Sequence, residues 1–414
     1  LELLERFERL EPCMAGETFT HNKIHLPVQS GEINLLTMHP TLLIGRYDWQ
    51  PERMPKSEFL DRIQALWKKI SHPCSAVIVY GDSYNHAELV YLSNFVPKLG
   101  PALMLIPREG EAKLLVSGAP NMLLAARLLT WIEGVEPLRD AGKAIARLLS
   151  DRIDSGATTT GSGAALIGGD YMRSAFHKPF IESFGSASFF LDATPLLRKL
   201  MRGKSPRELG FIREGCAILD TATKALAEAH RAGAGVTAAI LEAERAANHM
   251  EAQDVRTLFS LDGGRTLVPF EKPIVSPVNP LQVYIAVRHF GYWAGGFISL
   301  AASQNPVALK AADALKTVIA NTTAGATCRD LASLAAEKIR PYDSHEITAG
   351  NIGNGIGLLL EEEPRLTANN EAVLGPGEVY TLRVGASDGH EHYGIVSAMV
   401  AVHQNRNELL WSAV

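Results

Sequence analysis

The chain has 414 residues, 46% of them apolar and 21% charged, and a formal net charge of -5. That length fits two domains, and a slightly negative balance without a basic stretch excludes nucleic acid as the main partner. No apolar run approaches the ~20 residues that cross a bilayer, so no membrane partner is expected.

The N-terminal stretch Leu1–Arg6 is charged and lacks a signal-peptide core. Residues 1–55 carry two apolar clusters, Ile33–Leu36 and Thr41–Ile44, interrupted by Pro and Gly. They read as short strands or as an arm laid on the next domain. After Pro51 and Pro55 a helix is predicted, capped by Ser57, with Leu60, Ile63, Leu66 and Ile70 on one face. Pro73 ends it, and Ser75–Tyr80 reads as a buried strand closed by Gly81 and Asp82. Ala102–Ile106 and Lys113–Ser117 form a predicted hairpin. Helical patterns near 119–131 and 140–153 alternate with further short strands. The resulting mixed α/β domain is expected to end near residue 197.

A sharper boundary follows. Ser205 can cap a long Ala-rich helix running to about Arg231, Pro206 suits its first turn, and Glu208 can close a capping box. Gly235-Val236-Thr237 follows that helix, and Gly325-Ala326-Thr327 follows a second one near 305–322. In each, Gly can end one helix in the left-handed conformation and Thr can cap the next. Two such units about 90 residues apart suggest a duplicated α/β half. Cys13, Cys74, Cys216 and Cys328 are scattered without a CxxC, which fits free thiols in a reducing cytoplasm.

The most informative stretch is Gly353-Asn354-Gly355-Ile356-Gly357-Leu358-Leu359-Leu360-Glu361-Glu362-Glu363-Pro364. It resembles the Gly-His-Gly-Ile-Gly-Leu-x-x-His-Glu-x-Pro segment of the creatinase/aminopeptidase P/prolidase superfamily. Lys204-Ser205-Pro206-Arg207-Glu208 resembles the start of the same superfamily's catalytic domain, and Tyr91–Phe95 a segment of its N-terminal domain. The resemblance implies an N-terminal mixed α/β domain, residues 1–197, followed by a pita-bread α/β domain, residues 198–414, with an internal pseudo-twofold repeat. It also implies a homodimer.

Peptidases of the superfamily hold two divalent metals with two Asp, one His and two Glu, because a hard dinuclear centre needs carboxylates to offset its charge. By this resemblance the ligand positions fall on Tyr284 or Ala286, on Gly295, on Asn354, on Arg383 and on Ser397. Every one is substituted, and Arg383 places a permanent cation where metal would sit. No metal and no other cofactor is therefore expected. Creatinase keeps the fold without metal and hydrolyses a guanidino C–N bond, but its catalytic His falls on Phe270 and its key Glu on Arg383.

Other residues could carry chemistry. Asn354 and Arg383 offer an amide and a planar cation suited to an anionic substrate. The competing expectation is that Arg383 pairs with a buried acid such as Glu361. Glu361, at the second family His position, is the member of its acidic run expected to point inward, and Glu271 could supply a second carboxylate for proton transfer. Tyr292 and Trp293 could wall the cleft against a small-molecule substrate or simply fill the core. His390 and His392 could share a strand face as a mononuclear site or form a polar turn. His289 reads as structural. Gly161-Ser162-Gly163 lacks the rest of a phosphate loop, and no nucleophile elbow is present. Two functions compete: a metal-independent hydrolase or lyase cutting a C–N bond of a small anionic nitrogen compound, and a non-catalytic binding module. An ordinary metal-dependent Xaa-Pro peptidase ranks third.

Overall fold

The computed structural model describes residues 48–414 apart from 99, 119, 140–162, 175–176, 179–181, 183–189, 263–265, 270–272, 301–304 and 391. The predicted helix near 140–153, most of the 1–55 arm, Phe270 and Glu271 lie outside the described residues.

Helix α1 (Lys56–Lys69) starts after Pro55, which has extended backbone, and buries Phe59, Arg62, Ile63 and Leu66. Two expectations are corrected here. Ser57 lies inside the helix and does not cap it, and Leu60 is 42% exposed. The apolar stripe starts at Phe59, one residue earlier, so Leu60 turns to solvent. Strand β1 (Cys74–Gly81) is buried on both faces, as its continuous apolar run requires. Helix α2 (Ala87–Ser93) ends at Asn94 in the left-handed conformation. Strands β2 (Ala102–Pro107) and β3 (Lys113–Val116) pair as the predicted hairpin, and helix α3 (Pro120–Leu128) follows.

With β4 (Gly134–Pro137), β5 (Gly163–Ile167) and β6 (Phe190–Asp192) these strands form one mixed sheet, ordered β4-β3-β2-β1-β5-β6. Strand β1 runs antiparallel to β2 and parallel to β5. Helix α4 (Thr194–Arg202) then runs across residue 197, the expected domain boundary, and leads to helix α5 (Pro206–Arg231). The predicted capping box is present: Glu208 N donates to Ser205 Oγ at 3.3 Å, and Ser205 N donates to Glu208 Oε2 at 2.9 Å. Those two bonds satisfy donors that a helix start leaves orphaned.

Helices α5 and α6 (Val236–His249) back a three-stranded sheet of β7 (Asp254–Ser260), β8 (Leu281–His289) and β9 (Tyr292–Leu300). Helices α7 (Pro306–Asn321) and α8 (Cys328–Lys338) back a second sheet. Its order is β12 (Glu362–Arg365), β11 (Gly353–Gly355), β13 (Val379–Ser387), β14 (Tyr393–Val402), β15 (Asn407–Ser412), and β10 (Asp343–Ser344) joins β13. This helix-pair-plus-sheet repeat is the pita-bread arrangement. The two Gly-x-Thr turns are not equivalent, however. Gly325 takes φ +93° and Thr327 accepts from Asp330 N, as expected. Gly235 is itself the N-cap of α6, with extended backbone, and Thr237 Oγ1 accepts from Ile274 N at 2.7 Å. The left-handed residue there is Gly233, φ +80°.

Candidate functional site

Strand β13 decides what faces the cleft. Tyr380, Leu382, Val384 and Ala386 point to α7 and α8 and join their apolar core. By alternation Thr381 and Arg383 point the other way. Register pairs Asn354 with Thr381, Thr381 with Met399, and Arg383 with Ser397. In the other sheet Ala286 pairs with Gly295, and Tyr284 with Phe297. The two cleft faces meet where Thr381 Oγ1 donates to Gly295 O at 3.1 Å and Gly295 N approaches Met399 Sδ at 3.3 Å. The substituted ligand positions thus share one interface, and part of it is closed by direct contact. Asn354 and Ser397 are 1% and 0% exposed, yet Asn354 Oδ1 and Ser397 Oγ have no hydrogen-bond partner among the described residues. Asn354 Nδ2 is spent on backbone, donating to Gly355 O at 2.7 Å and Leu360 O at 3.2 Å.

Arg383 is half-buried, and its Nε donates to Asn351 O at 3.2 Å. No described carboxylate lies within ion-pair distance of it. Burial pushes its pKa down, while the nearby charges of Glu361 and Tyr284 work in the opposite direction. Tyr284 is its neighbour from the facing sheet. Burial pushes the Tyr284 hydroxyl up to about 12, against the pull of Arg383. Its ring packs on Phe297 with centroids 4.9 Å apart. A guanidinium and a phenol that feel each other's charge thus stand on the two facing sheets, and both carry hydrogen-bond donors. Tyr284 was read from the sequence only as a lost ligand position. Its pairing with Arg383 depends on a sheet-to-sheet contact that no local pattern reports.

The Gly353–Pro364 segment is fastened from outside the cleft. Lys204 Nζ donates to Glu362 Oε2 at 2.6 Å and to Met201 O at 2.5 Å, with both members of the ion pair buried. Gly357 permits this, since a Cβ there would lie 2.5 Å from Glu362 Oε1 and 2.7 Å from Lys204 Cε. Gly353, at φ +155°, likewise has no room for a side chain, with Thr381 O 2.3 Å from the modified position.

Two assigned residues are corrected. Strand β12 alternates buried and exposed, and the register turns Glu362 inward, not Glu361. Glu361 is exposed and meets Arg365 at 3.3 Å, so the expected Arg383–Glu361 salt bridge does not form. Tyr292 is buried with its hydroxyl donating to Glu208 Oε1 at 2.9 Å. Burial first, and Glu208 second, hold that phenol well above its usual range. Arg62 completes this knot, 3.4 Å from Glu208 and donating to Tyr91 O at 2.8 Å. Tyr292 therefore ties the capping box to the N-terminal domain, with its hydroxyl spent on Glu208.

The residues do not fit the dinuclear metal centre that the fold's peptidases carry. Ala, Gly and Ser at three positions supply no anionic oxygen, and Arg383 repels a dication. Among the described residues no group of three or more His, Cys, Asp or Glu is placed to hold a metal ion. His392 Nδ1 lies 2.7 Å from Asp388 Oδ2 on an exposed loop, which makes it part of a polar turn. His289 Nε2 lies 2.8 Å from Glu214 Oε2, a structural contact.

Comparison with known proteins places this architecture. Residues 210–403 match the model of metallopeptidase family M24. An Xaa-Pro dipeptidase from Pyrococcus furiosus is 33% identical over 73 residues, a stretch covering 18% of this chain and 21% of that relative. The prolidase from Pyrococcus horikoshii OT3 superposes with a TM-score of 0.69 at 19% identity, covering 86% of this chain and 97% of that one. The X-Pro aminopeptidase from Thermotoga maritima MSB8 gives 0.67 at 18% identity, covering 85% and 97%. No described helix is long and apolar enough to cross a membrane. Residues 210–403 are thus similar to metallopeptidase family M24, and the chain has the fold of these prolidases and aminopeptidases, an N-terminal α/β domain followed by a pita-bread domain.

Proposed function

We propose that this protein is a metal-independent hydrolase that holds a small anionic nitrogen compound on Arg383 and cuts one of its C–N bonds. One observation carries the reading. The Arg383 guanidinium is half-buried, has no described carboxylate within ion-pair distance and feels the charge of Tyr284. An anionic group of the substrate would accept from both. Water would attack the carbonyl or amidine carbon, the C–N bond would break, and a carboxylate would carry the water proton to the departing nitrogen. Glu361 at the rim and Glu271 are the carboxylates assigned to that transfer. An Xaa-Pro dipeptide, the substrate in the names of several matched proteins, shares the needed features: a terminal carboxylate and a C–N bond. A homodimer is part of this proposal, and light scattering of the purified chain tests it.

The test is hydrolysis of Xaa-Pro dipeptides, guanidino acids, ureido acids and N-acyl amino acids, each with EDTA and with added Mn²⁺. Turnover that survives EDTA and disappears in Arg383→Ala supports the reading. Turnover only with Mn²⁺ replaces it with ordinary peptidase chemistry.

A second reading, a binding module without turnover, has its own support. The contacts of Thr381 and Met399 with Gly295 close part of the cleft floor. The described carboxylates with displaced pKa values, Asp82, Glu214, Asp262, Asp388 and Glu408, are all displaced downward, so none is tuned as a neutral-pH acid. Saturable binding of the same compounds by calorimetry, without product, selects this reading.

A further inference from the structure

A second cationic group lies further along the same sheet face. Arg288 follows Tyr284 by four residues on β8, ~13 Å along the strand. It pairs with Trp293 of β9 and with Asp254 of β7, and Arg256 pairs with Ala286. These side chains therefore share the cleft-facing side. The Arg256 Cζ lies 4.6 Å from the Trp293 ring centroid and the Arg288 Cζ 5.2 Å. Arg288 is 9% exposed, and its Nε has no hydrogen-bond partner among the described residues. Arg256 is 58% exposed in its side chain, so the group reaches solvent through that guanidinium.

The acids present do not saturate the group. Asp254 is the carboxylate that approaches both arginines, at 3.4 Å from Arg256 and 3.6 Å from Arg288. The latter distance is too long for a hydrogen bond. His86 Nε2 lies 3.4 Å from Arg288 Nη1, and the Asp82 carboxylate beyond it is engaged by Tyr84 N, Asn85 N and the Tyr80 hydroxyl. The excess charge is felt by both basic neighbours. Burial, then Arg288, holds His86 down to about 4 and Lys98 down to about 8.

We propose that Arg288 and Arg256, set around Trp293, form a binding site for a small oxyanion of charge two. Inorganic phosphate and succinate present that chemistry from its two sources, a phosphate group and a dicarboxylate. The planar forks suit either one, because each guanidinium can donate two parallel N–H bonds. The site is separate from the Arg383–Tyr284 pair and does not depend on turnover.

The experiment titrates phosphate, and separately succinate, into the full chain at constant ionic strength, reading calorimetric heat and tryptophan fluorescence. The expected result is saturable binding of at least one, with a fluorescence change that disappears in Trp293→Phe. Arg256→Gln, at an exposed position, should weaken binding at least tenfold while the fold is retained. Arg288→Gln should do the same, and Arg256→Gln decides the matter if the Arg288 variant does not fold. Phosphate saturating first assigns the phosphate source, and succinate first the dicarboxylate. No saturation by either, or binding lost in Arg383→Ala but intact in Arg256→Gln, overturns the proposal.

Discussion

The two faces of the β11–β13–β14–β15 sheet obey different rules. On the helix side, Tyr380, Leu382, Val384, Val396, Ala398 and Val400 pack in an apolar core. The buried Tyr380 hydroxyl there is satisfied by Glu378, at 2.5 Å. On the cleft side, Asn354 Oδ1, Ser397 Oγ and Trp411 Nε1 are buried without a hydrogen-bond partner among the described residues, and no described carboxylate lies within ion-pair distance of Arg383. One face is optimised for packing. The other carries desolvated polar groups at ~1–3 kcal/mol each, a cost tolerated at places shaped by a ligand or by a former one. The strand between them is the same, so the difference arises from what each face was selected to meet.

That contrast can be broken at several points. The largest effect is expected where the signature segment is fastened. Lys204→Met leaves Glu362 buried and unpaired and should cost ~3–5 kcal/mol in denaturant unfolding. A loss under 1 kcal/mol would show that the fastening is dispensable. On the helix face, Leu382→Ala should cost ~2–5 kcal/mol through a cavity. On the cleft face, Arg383→Ala should change stability by under ~1 kcal/mol while weakening binding of a carboxylate-bearing compound at least tenfold, since no ion pair is lost. Ser397→Ala should be neutral or stabilising by up to ~1 kcal/mol, because it removes a buried hydroxyl with no partner. A clear destabilisation would mean that the hydroxyl has a partner after all.

A further effect is a pH dependence. His86 has a folded-state pKa of about 4 against 6.5 in the unfolded chain. Between those values the unfolded state binds the extra proton, so stability rises with pH across that window and falls as pH is lowered through it. The groups around the imidazole are Arg288, Lys98 and Asp82. His86→Gln should flatten that limb of the stability curve, and an unchanged slope would remove His86 from the account.

The sequence carried the frame well because the frame is local. The Ser205–Glu208 box, the run of β1, the β2–β3 hairpin and the glycines of Gly353–Pro364 each depend on residues a few positions apart. The site was less legible for the opposite reason. Whether Glu361 or Glu362 turns inward depends on strand parity, and a one-residue shift reverses it. Tyr292, assigned to the substrate, spends its hydroxyl on Glu208, 84 residues away in the chain and invisible to any local pattern. The Tyr284–Arg383 approach and the group around Trp293 need three separate strands to be registered before they exist at all. Glu271 stands outside the described residues, so its assigned role rests on the resemblance.

The Lys204–Glu362 bond has a consequence for what this fold can become. A loop whose shape depends on the ion at its centre collapses when that ion is lost. Here the backbone is clamped from the linker side, by a lysine and a glutamate that touch none of the old ligand positions. Shape and chemistry are thereby uncoupled at Arg383 and Ser397, whose side chains make no hydrogen bond to that segment. A designer wishing to install a new activity in this cleft could vary those two without rebuilding the loop, whereas Asn354, which holds Gly355 O and Leu360 O, would have to stay.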